Sequence, residues 1–377
     1  MHVVIFYESD CGGETVATES LIRALKKNSG IKISPIKLHR LTNYSLRNYA
    51  FWIIKSVYIS FVIIVRYKPS IVYTTTYTAG CAAILYRILS PVKICFHYHG
   101  SRVPPKVETL SFKKRLTQKV KSKLVWKLHY YFLKRVNILI TPTLYTLKSL
   151  KSEFSLELVD KTAIIPAGFD KSIYFMPTLK QVIRARKNYG IKLNSKVLAY
   201  VGRLDPHKQI EKLINLISTF SDLRYRLIIA YPPIGSNIEI ETLNKIMKLR
   251  CSLGLENRII LLNNPEPLRD IYYCTAAVVS LSTHENFPQV MLEAFACGTL
   301  FLSSYLPSVE SFLLSLDNRL VATNQNHFKF RQQVQSILKL TPREKNKIIS
   351  KAQKKIKDME WSRVSGIVSN SFENLID

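Results

Sequence analysis

The six cysteines, at positions 11, 81, 95, 251, 274 and 297, include no Cys-x-x-Cys pair. That spacing indicates neither a zinc site nor a disulfide framework, and reduced thiols are expected. Acidic residues are scarce, 26 against 55 Lys and Arg. The resulting formal charge of +29 either repels itself or faces something negative: nucleic acid, an anionic membrane or a phosphorylated substrate. Self-similarity at periods of about 20 to 50 residues is missing, which excludes solenoids and propellers. Low-complexity tracts are missing too, and an apolar fraction of 47% argues against a disordered chain. The most apolar stretch, residues 49–67, is interrupted by Lys55 and Arg66 and leaves ten residues, 56–65, free of charge. A spanning helix needs roughly 20, so a packed helix is predicted. The first eight residues lack the basic start and long apolar core of a signal peptide. They read as a buried strand, and the chain is expected to stay inside the cell.

What is present fits two α/β domains. A chain of 377 residues exceeds one ordinary core. Short runs rich in Val, Ile and Tyr alternate with longer amphipathic stretches, the pattern of parallel strands joined by crossover helices. Strands are predicted at 3–6, 31–36, 71–74, 93–97, 138–141 and 163–165, then at 197–201, 226–230, 258–262, 277–281 and 300–303. Residues 1–170 form the first expected domain, 171–196 a linker with little apolar periodicity, and 197–360 the second domain. Thr341, Pro342 and Glu344 predict a helix start, with the Thr as cap and the Glu at its third position. A final amphipathic segment, 361–377, predicts one more helix.

In open α/β sheets ligands bind beyond the carboxyl ends of the strands, so the loops that follow the strands are where chemistry is sought. The loop after the first strand holds Gly12 and Gly13 before a helix, which suits either a phosphate or a tight turn without ligand. After the strand at 93–97 the chain reads His97-Tyr98-His99-Gly100, placing an imidazole at a strand end. After 197–201 it reads Gly202-Arg203-Leu204-Asp205-Pro206-His207-Lys208. There the glycine permits a turn, and Arg203 and Lys208 bring two cations to a helix start, suited to gripping a diphosphate. After 277–281 comes His284-Glu285-Asn286-Phe287-Pro288; Pro288 suits the first helical turn, which puts Glu285 in the loop before the helix and Glu293 more than a turn inside it. Were the helix to span both acids, eight residues would separate them by about 80° and both would line one groove. Two acids so placed suit the hydroxyls of a sugar and a ribose.

Together the last two loops resemble the retaining glycosyltransferases of family 4, which have the GT-B fold: a Gly-Arg-Leu-x-Pro-x-Lys element, then Glu-x7-Glu within ENFPQVMLEAFACGT. The likeness extends to the Gly-Gly loop near 12, to KPSIVY, to the His-Gly at 99, to IIPAGFD and to MEWSRV. It implies two Rossmann-like domains with parallel sheets facing across a cleft, and a last helix that crosses back onto the first domain. It further implies a nucleotide diphosphate-sugar donor held mainly by the second domain. Arg203 and Lys208 would neutralise the diphosphate, Glu293 would take the ribose hydroxyls, and Glu285, with Asn286, Phe287 and Pro288 beside it, would contact the sugar. His99 matches the active-site histidine, with His97 an adjacent rival. No Asp-x-Asp occurs, so a metal-bridged diphosphate has no visible ligands and metal independence is expected. The usual Gly-x-Gly after the strand at 226–230 is replaced by Ala230-Tyr231-Pro232-Pro233-Ile234-Gly235, which leaves base and sugar preference open.

The positive charge is densest from Lys106 to Arg135, where ten Lys and Arg residues meet one acid, Glu108. Lys113, Lys114, Arg115, Lys119, Lys121 and Lys123 alternate there with Leu110, Phe112, Leu116, Val120 and Leu124 at helical spacing. A basic amphipathic helix suits an anionic membrane, which points to a peripheral enzyme on the inner face with a lipid-linked or membrane-proximal acceptor. The competing reading of the patch is a solvated face on a soluble transferase. A nucleic-acid partner is disfavoured because Glu285 and Glu293 would repel phosphates.

Overall fold

The computed structural model of the protein describes residues 1–9, 13–28, 30–39, 46–99, 126–127, 129–154, 162–322 and 327–376. The chain separates into two compact units. Met1–Asp10, Leu21–Pro166 and Ser365–Asp377 form one, and Cys11–Ser20 with Ala167–Val364 form the other. Gly12, Gly100 and the basic cluster of Lys113, Lys114, Arg115, Lys119, Lys121 and Lys123 lie outside the described residues.

The first unit is built on six parallel strands, β1 (His2–Ser9), β2 (Lys32–His39), β3 (Ile71–Thr74), β4 (Lys93–His97), β5 (Ile138–Thr141) and β6 (Thr162–Ile164). Their order is β2-β1-β3-β4-β5-β6. Strands covered on both faces read as continuous apolar runs, and Val72, Ile94, Phe96 and Leu139 accordingly lie in one core cluster. Pro35, which has no N–H to donate, sits opposite Ile5 on β2, at the edge of this sheet where the ladder tolerates it.

The second unit repeats the scheme with β7 (Lys196–Val201), β8 (Tyr225–Tyr231), β9 (Ile259–Asn263), β10 (Ala277–Ser280), β11 (Leu300–Ser304) and β12 (Val321–Ala322), in the order β12-β11-β10-β7-β8-β9. The chain winds outward from β7 to β9, then returns to lay β10 on the other side of β7, pairing Ala277 with Leu198. The point between β7 and β10 is therefore the topological switch of a doubly wound sheet, where ligands bind beyond the strand ends.

Eleven strands of the described residues fall within three residues of their predicted ends. The twelfth, β12, has two residues and leaves no periodic signal. The expected linker 171–196 instead holds a helix, Leu179–Asn188. Only Ala185 is buried on it, so it lacks the apolar stripe that periodicity detects; its signature is the capping box of Thr178 and Gln181. The predicted capping box at Thr341 and Glu344 is present, with the Glu344 carboxylate accepting from the Thr341 N–H at 2.9 Å. Residues 49–67 lie within helix Leu46–Tyr67, which packs on helix Tyr77–Tyr86.

The motifs IIPAGFD and MEWSRV meet in space. Phe169 bridges Glu360 in parallel, with Trp361 N–H donating to the Phe169 carbonyl at 3.0 Å. A Cβ on Gly168 would stand 2.6 Å from the Trp361 ring, so only glycine admits that indole. The last helix, Trp361–Glu373, buries Val364, Val368 and Phe372, the last edge-on to Tyr73 of β3 at 5.9 Å.

Candidate active site

The site begins where β7 ends. Gly202 has φ +149°, a conformation that side chains rarely adopt, and a Cβ there would meet the Tyr200 hydroxyl at 3.1 Å. Tyr200 is buried and donates to the Arg203 carbonyl at 2.5 Å, which fixes the turn. The chain then forms a short 3-10 helix, Pro206–Lys208, and enters helix Ile210–Ser218 through Gln209 in a left-handed conformation.

This turn delivers two cations, each beside an acid. The Arg203 guanidinium lies 3.2 Å from the Asp205 carboxylate. The Lys208 ammonium binds Glu285 Oε1 from the loop after β10, 77 residues along the chain. Ser282 Oγ donates to the same Glu285 oxygen at 2.9 Å, and Ser308 Oγ to the Glu285 carbonyl at 2.5 Å. Thr283 N–H donates to the His207 carbonyl at 3.0 Å, closing one loop on the other. Lys208 and Glu285 are thus joined across the two loops at the switch point, with the Arg203–Asp205 pair on the same turn as Lys208.

The electrostatics follow from this packing. Burial disfavours the Glu285 carboxylate, but the Lys208 charge, the hydrogen bonds from Lys208 and Ser282, and His207 outweigh it and hold Glu285 below its ordinary range. His207 is pulled below its usual value by burial and then by Lys208, with Asp205 and Glu285 acting in the opposite direction. Burial, then Glu285 and Asp205, push the Tyr200 phenol far up and keep its proton available for the Arg203 carbonyl.

Glu293 has a different setting. Helix Gln289–Ala296 starts after Pro288, which caps it, so Glu285 lies in the loop before the helix and Glu293 more than a turn inside it, as expected, and the 80° that one helix across both acids would give does not apply. Glu293 is 4% exposed and accepts from the Tyr272 hydroxyl at 2.5 Å and from Tyr174 and Gln289. Burial raises it to about 7 against those hydrogen bonds. Its partners are distinct from those of Lys208 and Glu285. Of the other expected donor contacts, Phe287 packs edge-on to Phe312 at 6.3 Å and serves the core, while Asn286 and Pro288 are half-buried.

Gly13 opens helix Gly13–Asn28 and is exposed, with open space where a Cβ would point. His97, at the end of β4, is buried and held through Nδ1 by the Tyr73 hydroxyl at 2.5 Å. Burial, then His99, push it well below the usual histidine range. His99 stacks on it with ring centroids 4.0 Å apart and is half-buried. The rival histidine is therefore committed to its tyrosine, and His99 is the more accessible of the two.

Sequence reasoning missed Asp205, Ser282, Ser308, Tyr272 and Tyr174. Asp205 lies two residues from Arg203 and was open to notice. Ser282 lies just past the end of β10, and Ser308 and the tyrosines come from segments without any motif.

Comparison with known proteins agrees with this geometry. Residues 12–172 match the family model Glycosyltransferase Family 4, and residues 181–355 match Glycosyl transferases group 1. A D-inositol 3-phosphate glycosyltransferase of Corynebacterium glutamicum is 32% identical over 146 residues, 37% of this chain and 34% of the relative. The match thus spans about a third of that relative's length. Among solved structures, a sucrose-phosphate synthase from Thermosynechococcus elongatus superposes with TM-score 0.82 at 16% identity, covering 100% of this chain and 99% of that one. Anabaena Alr3699/HepE in complex with UDP superposes with TM-score 0.76 at 16% identity, covering 99% and 100%. These likenesses give the fold, GT-B. With one family model on each half and the family's cation and acid loops meeting at the switch point, the chain belongs to the family 4, group 1 glycosyltransferases.

Proposed function

We propose that the protein transfers a sugar from a nucleotide diphosphate-sugar to an acceptor with retention of anomeric configuration. The observation that carries this reading is the Lys208–Glu285 pair, which joins the loop after β7 to the loop after β10 where a doubly wound sheet binds its ligand. Breaking the bond between anomeric carbon and phosphate leaves new negative charge on the diphosphate. A cation about 4 Å away contributes on the order of 4 kcal/mol at an effective dielectric of 20. Lys208 and Arg203 are the leaving-group stabilisers in this scheme, and Glu285, fixed as a carboxylate by Lys208 and Ser282, faces sugar hydroxyls. Glu293 takes the ribose hydroxyls and His99 serves the reacting end, both on the strength of the motif match. The departing phosphate accepts the acceptor's proton on the same face. The reaction is metal-independent, a reading supported by the lack of an Asp-x-Asp in the sequence. The acceptor is lipid-linked or membrane-proximal and the enzyme peripheral on the inner face of the membrane, a reading supported by the charge between Lys106 and Arg135. No helix among the described residues is long and apolar enough to cross a bilayer.

A thermal-shift panel of nucleotides and nucleotide sugars tests the donor assignment. Uridine compounds head it because the HepE structure holds UDP, and inositol phosphates head the acceptor set because of the curated relatives' names. A ligand at 100 times its Kd stabilises by about 2.7 kcal/mol. The cognate nucleotide sugar raises the melting temperature of the wild type, less so that of Glu293→Gln; a panel without any shift would overturn the reading.

A further inference from the structure

Helix Leu46–Tyr67 is apolar on both its inward and its outward face: Val57, Phe61, Ile63 and Ile64 pack on the core of the first unit. Its buried positions are Ser56, Ser60 and Ile64, one face at four-residue spacing, and the Ser60 hydroxyl has no hydrogen-bond partner there. It packs on helix Tyr77–Tyr86, whose buried residues are mostly small: Ala79, Gly80, Ala82 and Ala83. On the opposite side Phe51, Ile54 and Tyr58 are 68%, 68% and 66% exposed, and Val62 and Val65 continue the exposed line. At 100° per residue these five side chains fall within an arc of about 80° and run about 21 Å along the axis. A helix facing water puts its large apolar residues against the core. A continuous apolar stripe of this kind marks an interaction surface, unlike the scattered apolar residues of any monomer.

Charge identifies the occupant. Lys55 and Arg66 are exposed and sit within about 60° of the Phe51 direction, along one border of the stripe. The sequence has no Asp or Glu between Glu19 and Glu108, while Lys and Arg recur throughout that span. A second copy of the chain would bring the same positive surface against this one and repel it. Beside the stripe, Phe61 packs on Tyr86, which begins the turn carrying Ile88, 82% exposed. We infer that the outward face of helix Leu46–Tyr67, with Ile88 and Leu89, is an in-plane docking surface for an anionic lipid bilayer. The helix lies on the membrane and does not cross it. This deepens the membrane-proximal reading through an element other than the 106–135 cluster.

Vesicle flotation of the full chain, without donor or acceptor, tests this independently of any transferase activity. The probes are phosphatidylcholine vesicles with and without phosphatidylglycerol, at low and high salt. The wild type floats with the anionic vesicles, and F51S/I54S/Y58S binds them at least about tenfold more weakly while keeping the wild-type circular dichroism and melting temperature. Neutralising Lys113, Lys114 and Arg115 in the otherwise intact chain reduces the salt-sensitive part and leaves the apolar part. Equal flotation of the triple variant and wild type overturns the inference, as does a wild-type dimer in light scattering that the triple variant abolishes without any vesicle binding. If the triple variant misfolds, Ile88→Ser carries the same comparison from a turn residue. Loss of the nucleotide thermal shift with flotation intact would sink only the transferase reading.

Discussion

Replacing Lys208 by Met separates what the Lys208–Glu285 pair does for folding from what it does for chemistry. The two side chains are 17% and 19% exposed, so removing the ammonium leaves a largely dehydrated carboxylate without its partner. Such a loss costs 3–5 kcal/mol when fully buried, and partial exposure brings the expected cost down to about 2 kcal/mol. For a domain of roughly 200 residues that is about 4–8 °C in melting temperature. Glu285 has a depressed pKa in the folded protein. Its stabilisation is therefore complete above the ordinary 4.5 and is lost as pH falls through the lower folded value. Once Glu285 is protonated its partner no longer matters, so the deficit of Lys208→Met is largest at neutral pH and closes on acidification. Lys208→Met/Glu285→Gln removes both charges and recovers stability to within about 1 kcal/mol. Transfer is not recovered: losing on the order of 4 kcal/mol of leaving-group stabilisation lowers kcat by about three decades in both variants. Urea titrations from pH 4 to pH 8 and single-turnover transfer from the donor with the largest thermal shift measure the two effects. Turnover within tenfold of wild type in Lys208→Met, or a double variant no more stable than the single, would refute the reasoning.

Two further outcomes follow from packing. Glu293 is raised to about 7 by burial, so its neutral form favours the fold. That contribution is complete below 4.5 and is lost as pH rises through about 7, and its loss of roughly 3 kcal/mol should vanish in Glu293→Gln when urea midpoints are compared at pH 5 and pH 8. Gly168→Ala drives a methyl to within 2.6 Å of the Trp361 ring and should cost about 1–3 kcal/mol in thermal unfolding, and an unchanged melting temperature would mean that the ring moves away freely.

The strands were legible because covering both faces of a parallel sheet demands unbroken apolar runs, and 71–74, 93–97 and 138–141 coincide with β3, β4 and β5. Helix Leu179–Asn188 was not, because an exposed helix needs no stripe and its only strong local signal was a capping Thr178. Helix Leu46–Tyr67 was found, but apolar content alone does not say which face is turned inward; that needed the burial of Ser56 and Ser60. In the site, Arg203, Lys208 and Glu285 were readable because each follows a strand end, and topology carries strand ends β7 and β10 together. The loop position of Glu285 and the helical position of Glu293 were readable from Pro288 at the helix start. Tyr272 and Tyr174, which hold Glu293, carry no motif, and their role is visible only once the chain is folded.

The sequence suggests two free cations awaiting a diphosphate, whereas the folded site is nearly neutral, with Arg203 beside Asp205 and Lys208 on Glu285. An ammonium has three donors, and Glu285 Oε1 occupies one of them, so Lys208 retains hydrogen-bonding capacity toward phosphate without leaving its partner. The acids also cancel most of the long-range attraction that two bare cations would exert. Donor binding should accordingly depend on short-range hydrogen bonds and weaken only a few-fold between about 50 and about 200 mM salt. A surface that grips nucleic acid through several phosphate contacts loses about 10³–10⁵ in affinity over the same range. Titrating the cognate nucleotide sugar across that salt series distinguishes the two, and a steep, nucleic-acid-like slope would mean that Asp205 and Glu285 do not pair with the cations in solution.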